Sequence, residues 1–161
     1  MTDAYVMIGT KLWESTMERR SLLQLVCAIM PISLLTTRAE AATPDQSKVV
    51  YHLSDLDKVE FVMGNIRNHY NGMGGPDKVT IALVVHGPAL KAFHAAGATP
   101  DMTKRTAEMK KSGLELSACI HTMRGQEVTL KDLLPGFAVA DKGGVVRLAE
   151  LQSQGYIYLR P

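Results

Sequence analysis

A chain of 161 residues with 46% hydrophobic side chains is one domain's worth of sequence, with enough apolar content for a sizeable core. Its 18 Lys and Arg against 16 Asp and Glu leave a net charge of only +2, which gives no electrostatic case for nucleic acid or an anionic membrane surface. No window interleaves aromatic and basic residues as a nucleic-acid surface would.

The first forty or so residues read as a separate segment. Arg19-Arg20 precede an apolar run from Ser21 to Leu35 that is short for a bilayer span and is interrupted by Pro31. Ala39-Glu40-Ala41-Ala42 follows as a small-x-small cleavage pattern. Residues 1–42 are therefore expected to be a cleavable export signal, cut after Ala41, with Met17 a natural alternative start. Arg19 to Gln24 also resembles a twin-arginine motif, so the route is Sec or twin-arginine and the destination is the periplasm. Cleavage leaves no stable membrane anchor. It also removes Cys27, so that Cys119 is the one thiol of the mature domain, residues 43–161, and no internal disulfide can form. In an oxidising compartment such a thiol is buried and inert, paired between chains, or reactive.

Lys48 to Leu53 is an apolar, β-branched run and predicts the first strand. Ser54 reads as an N-cap with Asp55 and Asp57 in the first turn, opening a helix to about Tyr70. Val59, Val62, Met63, Ile66 and Tyr70 share one face at helical spacing. A loop over residues 71–76 leads to a second strand, Lys78 to His86, nearly continuous in apolar residues as a central parallel strand should be. Gly87-Pro88 stops it; Ala89 to Ala96 reads as a short helix, and Asp101 to Ser112 as a charged one closed by Gly113. Leu114 to Ile120 is the third strand and carries Cys119 at its carboxyl end. Thr129 to Leu134 is a helical turn with Thr129 and Asp132 in a capping-box arrangement. A strand at Phe137 to Ala140, a helix at Gly143 to Gln154 and a strand at Tyr156 to Leu159 complete the chain. Val145, Val146, Leu148, Ala149 and Leu151 are the expected buried side of that helix.

The alternation of strands and helices predicts a single-domain α/β fold: an open, mostly parallel five-stranded sheet with helices on both faces, in the flavodoxin-like size class. In such sheets, ligands gather outside the carboxyl ends of the strands, which is where Cys119 and His86 both fall. His86 is the best candidate polar partner of Cys119. His121 and Arg124, two and five residues further on, are candidate sources of positive charge for a thiolate. Two readings of Cys119 stay open on these residues: a small core side chain and a reactive thiol. Asn65 and His69, four apart on the first helix, share a face and are candidate crevice or interface residues. No cofactor or metal is expected. The five histidines show no ligand spacing, Gly72 to Gly75 follows a helix rather than opening one, and there is no G-x-S-x-G elbow.

Lys48 to Ser54, Asn65 to His69, Val85 to Leu90, Ala118-Cys119, Lys131 to Gly136 and Leu151 to Tyr158, taken in that order, resemble the small DsrE/DsrF-like proteins. The resemblance covers nearly the whole mature chain and is closest to an uncharacterised branch of the family. It implies a DsrEFH-like α/β fold assembled as a homotrimer or homohexamer. It also implies a sulfur carrier rather than a turnover enzyme, in which Cys119 holds sulfur as a persulfide exchanged with a donor or acceptor protein or a small sulfur compound. Two features depart from the family: Ile120-His121 stands where asparagines often follow the cysteine, and the known sulfur relays are cytoplasmic. The alternative is a non-catalytic oligomeric module that binds a small ligand or a protein and uses Cys119 for packing.

Overall fold

The computed structural model describes residues 46–161, so the expected export signal lies outside the described residues. Five strands, β1 (Ser47–Leu53), β2 (Val79–Val85), β3 (Glu115–Cys119), β4 (Phe137–Ala140) and β5 (Ile157–Leu159), form one sheet in the order β4-β3-β2-β1-β5, and every pair is parallel. The expected α/β class and five-stranded open sheet are therefore what the chain adopts.

The topology explains where the helices go. From β1 to β4 the chain steps one strand at a time in one direction, and right-handed crossovers put those connections on one face. They are α1 (Val59–Met73), a 3-10 segment (Gly87–Phe93), α2 (Pro100–Lys111) and α3 (Ile120–Gly125). The return from β4 to β5 runs the opposite way, so α4 (Gly144–Ser153) covers the other face. The larger core lies on the first face, where Ile66, Ile81, Leu83, Leu90, Phe93 and Leu114 are fully buried. The smaller one joins Leu148 and Leu151 of α4 to Val50, Ala82 and Val84 of the sheet.

Three local expectations are corrected. Ser54 does not cap α1: a 3-10 turn at Leu56–Lys58 intervenes, α1 begins at Val59, and the Ser54 hydroxyl instead accepts from Arg160 Nη2 at 3.2 Å. α1 also runs past Tyr70 to Met73, ending on Gly74 in the left-handed conformation at φ 88°. In α4, Val145, Val146 and Ala149 are exposed rather than buried, Val145 to 70%. A single stripe of α4 is buried against the sheet, Gly144, Leu148 and Leu151, at spacings of four and three. The capping turn did form: the Asp132 carboxylate accepts from the Thr129 N–H at 2.8 Å and from its hydroxyl at 2.7 Å.

Candidate functional site

Strand alternation decides which side chains meet at the carboxyl edge. Val50, Val84 and Ser117 face α4, so His52, His86 and Cys119, each two residues on, face the same way. Tyr158 joins them because β5 pairs with β1 in the register that sets Tyr158 opposite Val50. One row of polar side chains thus crosses four strands, on the face where α4 begins.

Cys119 ends β3 in extended geometry, immediately before α3. It is buried, with 7% of its surface exposed. Burial pushes the thiol pKa up. Against that, the N–H groups of Thr122 and Gly144, the Thr122 hydroxyl and the N–H of His121, at the starts of α3 and α4, outweigh burial and hold the thiol below its ordinary value. Thr122 is itself fixed, because its hydroxyl oxygen accepts from the Gly87 N–H at 2.9 Å. Gln126 anchors the same turn, donating from Nε2 to the Gly87 carbonyl at 2.9 Å.

The approach of α4 depends on two glycines. Gly143 has φ 100°, a left-handed conformation, and a Cβ there would meet His121 Cδ2 at 2.9 Å. A Cβ on Gly144 would sit 3.3 Å from Cys119 Cβ and 3.4 Å from both His86 Cβ and Cδ2. Gly144 is therefore wedged between the two residues that the sequence paired. Gly144→Val is expected to cost about 1–3 kcal/mol of stability through overpacking and to slow alkylation of Cys119 by displacing the donor N–H. Chemical denaturation and iodoacetamide kinetics measure both, and an unchanged rate would show that the wedge does not hold the thiol.

Beside the thiol, His86 and His52 meet through their Nε2 atoms, and His52 Nδ1 is 2.6 Å from the Tyr158 hydroxyl. Tyr158, His52 and His86 thus form a hydrogen-bonded chain that runs from a partly exposed phenol inward. Burial, then the charges of His86 and Arg160, lower the His52 pKa to about 4 against the opposing pull of Asp55. Burial and Arg160 also lower that of His86. His86 is thus biased toward its neutral form where it faces Gly144 beside the thiol.

The remaining expected site residues divide. His121 lies over Gly143, at the rim of the thiol site. Arg124 is exposed on the last turn of α3 and is not among the groups around the sulfur. Asn65 and His69 come together elsewhere: with Tyr51, Leu159 and Arg160 they line a cavity of about 400 Å³, and His69 Nδ1 is 2.9 Å from the Tyr51 hydroxyl. A further cavity of about 290 Å³, lined by Ser117, Ala140, Gly143 and Arg147, adjoins Cys119 along β3 and β4. His52, Tyr158 and Thr122 were not singled out in the sequence. A legible signal existed for His52 alone, a polar residue two places after Val50 in an apolar strand. Among the described residues, no three His, Cys, Asp or Glu side chains are grouped to hold a metal ion.

Fold and site define a class: an open parallel α/β domain with a thiol and a tyrosine–histidine–histidine chain at the carboxyl edge of its sheet. Solved proteins share the fold. The chain is similar to MTH1491, a protein of unknown function from Methanobacterium thermoautotrophicum, with TM-score 0.63 and 25% identity over 71% of this chain and 99% of that one. It is also similar to BT1422, a conserved protein of unknown function from Bacteroides thetaiotaomicron, with TM-score 0.54 and 20% identity over 71% and 95%. The ychN protein from E. coli matches with TM-score 0.52 and 13% identity over 73% and 100%. No protein-family model and no curated protein matches the chain.

Proposed function

We propose that this chain is an exported, periplasmic sulfur-binding or sulfur-transfer protein of the DsrE type, in which Cys119 carries sulfur as a persulfide. The observation that carries the reading is the place of Cys119 at the carboxyl end of β3, between the first turns of α3 and α4, whose N–H groups and Thr122 hydroxyl hold the thiol below its ordinary value. The thiol first loses its proton to solvent. The thiolate then attacks a sulfane sulfur of a polysulfide, forming one S–S bond as the donor's S–S bond breaks and its electron pair leaves with the shortened polysulfide. With thiosulfate as donor, sulfite leaves instead. Transfer onward repeats the exchange with an acceptor thiolate, so no external oxidant or reductant takes part. His86 and His121 flank the glycine pair beside the sulfur, and the assembly is a homotrimer or homohexamer.

The burial of Cys119 favours a second reading, a non-catalytic oligomeric binding module in which the thiol is packing. One experiment separates the two. After treatment with polysulfide or thiosulfate, mass spectrometry is expected to show whole-sulfur additions on the peptide bearing Cys119, with none in Cys119→Ser. Native mass measurement of the same sample reads the assembly. An unmodified Cys119 that also resists alkylation in the folded protein would sink the sulfur-transfer reading and leave the binding module.

A further inference from the structure

A third cavity lies at the opposite end of the sheet from the thiol, between α1 and α2. It has a volume of about 220 Å³ and is lined by Arg67 and Tyr70 of α1, by Arg105, Glu108 and Met109 of α2, and by Ser112 just after it. Among the described residues, two buried side-chain polar atoms have no hydrogen-bond partner, the Tyr70 hydroxyl and Arg105 Nε. Both belong to residues that line this cavity. Tyr70 is 6% exposed, so its hydroxyl is withdrawn from bulk water. Glu60 and Asp101 take the Nη1 corner of Arg105 and leave Nε unused.

The chemistry of the orphan groups selects the ligand. Arg105 Nε is a donor only. Burial, then the nearby Glu115 charge, pushes the Tyr70 pKa up to about 12, so the phenol keeps its proton. Two donors left unpaired on residues that line one cavity call for an acceptor, because each buried unpaired group is costly. Glu60 and Asp101 already balance the charge of Arg105, so it is Arg67, which makes none of the ion pairs among the described residues, that favours an acceptor with negative charge. Glu108 is the carboxylate that lines the cavity, 60% exposed and 4.0 Å from Lys104 at the rim, while Glu60 and Asp101 sit on the Nη1 corner of Arg105 and Glu115 lies near Tyr70. A single water, at about 30 Å³, would occupy a small part of the space. Met109 gives the cavity an apolar wall, against which a short carbon chain can pack.

We propose that the cavity between α1 and α2 binds a small oxyanion, a short carboxylate or a sulfate-like ion, between the Tyr70 hydroxyl and Arg105 Nε. This site is independent of the sulfur chemistry at Cys119. Isothermal titration of the purified protein with sodium succinate and, separately, sodium sulfate, at constant ionic strength, tests it and distinguishes the two sources of the charge. At least one anion is expected to bind saturably. Tyr70→Phe should weaken that binding on the order of tenfold or more, Arg67→Gln should weaken it as well, and Cys119→Ser should leave it unchanged. Without added anion, Tyr70→Phe is expected to melt at or above the wild-type temperature, since it deletes an unpaired buried hydroxyl. No saturable binding of either anion, an unchanged Kd in Tyr70→Phe or Arg67→Gln, or a lower melting temperature for Tyr70→Phe would each overturn the proposal. Arg67 is exposed, so Arg67→Gln keeps the test decisive if the phenylalanine variant does not fold.

Discussion

Phe93→Ala is expected to lower the free energy of unfolding by about 3–5 kcal/mol, the range for emptying a large aromatic site in a core. Phe93 is fully buried at the end of the 3-10 segment and packs edge-to-face on Phe137 with ring centroids 5.2 Å apart. Its carbonyl accepts from the Leu134 N–H at 2.8 Å, which ties the segment to the strand-leading turn before β4. Truncation therefore opens a cavity between two elements already held by backbone bonds, and such a site collapses poorly. The same segment begins at Gly87, whose N–H meets Thr122, so loosening it also loosens the turn behind the thiol. Urea denaturation measures the change. A loss below about 1.5 kcal/mol, the cost of a volume-conserving swap, would mean that the segment closes over the void.

Acidification is the second large effect. A histidine whose folded pKa is depressed takes up its proton in the unfolded chain first, so stability falls as pH drops through that interval. For His52 the interval runs from 6.5 down to about 4. Unscreened, that shift corresponds to about 3 kcal/mol. His52 is only partly buried, and solvent screening reduces the expected loss to about 1–2 kcal/mol. His86 adds in the same direction, and because the imidazoles touch, the first proton on His86 opposes a second on His52. Arg160 reinforces the depression and Asp55 opposes it. Above pH 7 neither histidine contributes. Denaturation curves recorded between pH 7 and pH 4 should fall more steeply for wild type than for His52→Gln, and parallel curves would refute the assignment.

Much of the scaffold could be read from the residues. The near-continuous apolar run of β2 identified a central parallel strand, and its zero exposure from Ile81 to Val85, save Ala82 at 2%, follows from cover on both faces. The Thr129–Asp132 turn was legible because a capping box is a local interaction. Ser54 was misread because a serine before acidic residues looks the same whether it caps a helix or starts a loop. Only Arg160, more than a hundred residues away, settled what its hydroxyl does. The exposure of Val145 and Val146 likewise depended on which stripe of α4 meets the sheet, which a run of apolar residues does not by itself decide.

The candidate site divides in the same way. Cys119 at a strand's carboxyl end, and His86 at its neighbour's, follow from chain order and alternation, and the fold places them on either side of Gly144. The sequence by itself determined the strand–helix order, the parallel sheet and the edge at which the thiol stands, because these rest on local pattern and on the handedness of crossovers. Only the tertiary structure decided that His52 and Tyr158 complete the row, and that the first turns of α3 and α4 close on one thiol. The physical reason is the return of the chain across the whole sheet: β5 beside β1, and α4 on the far face, bring together residues whose separation in sequence carries no periodic signal.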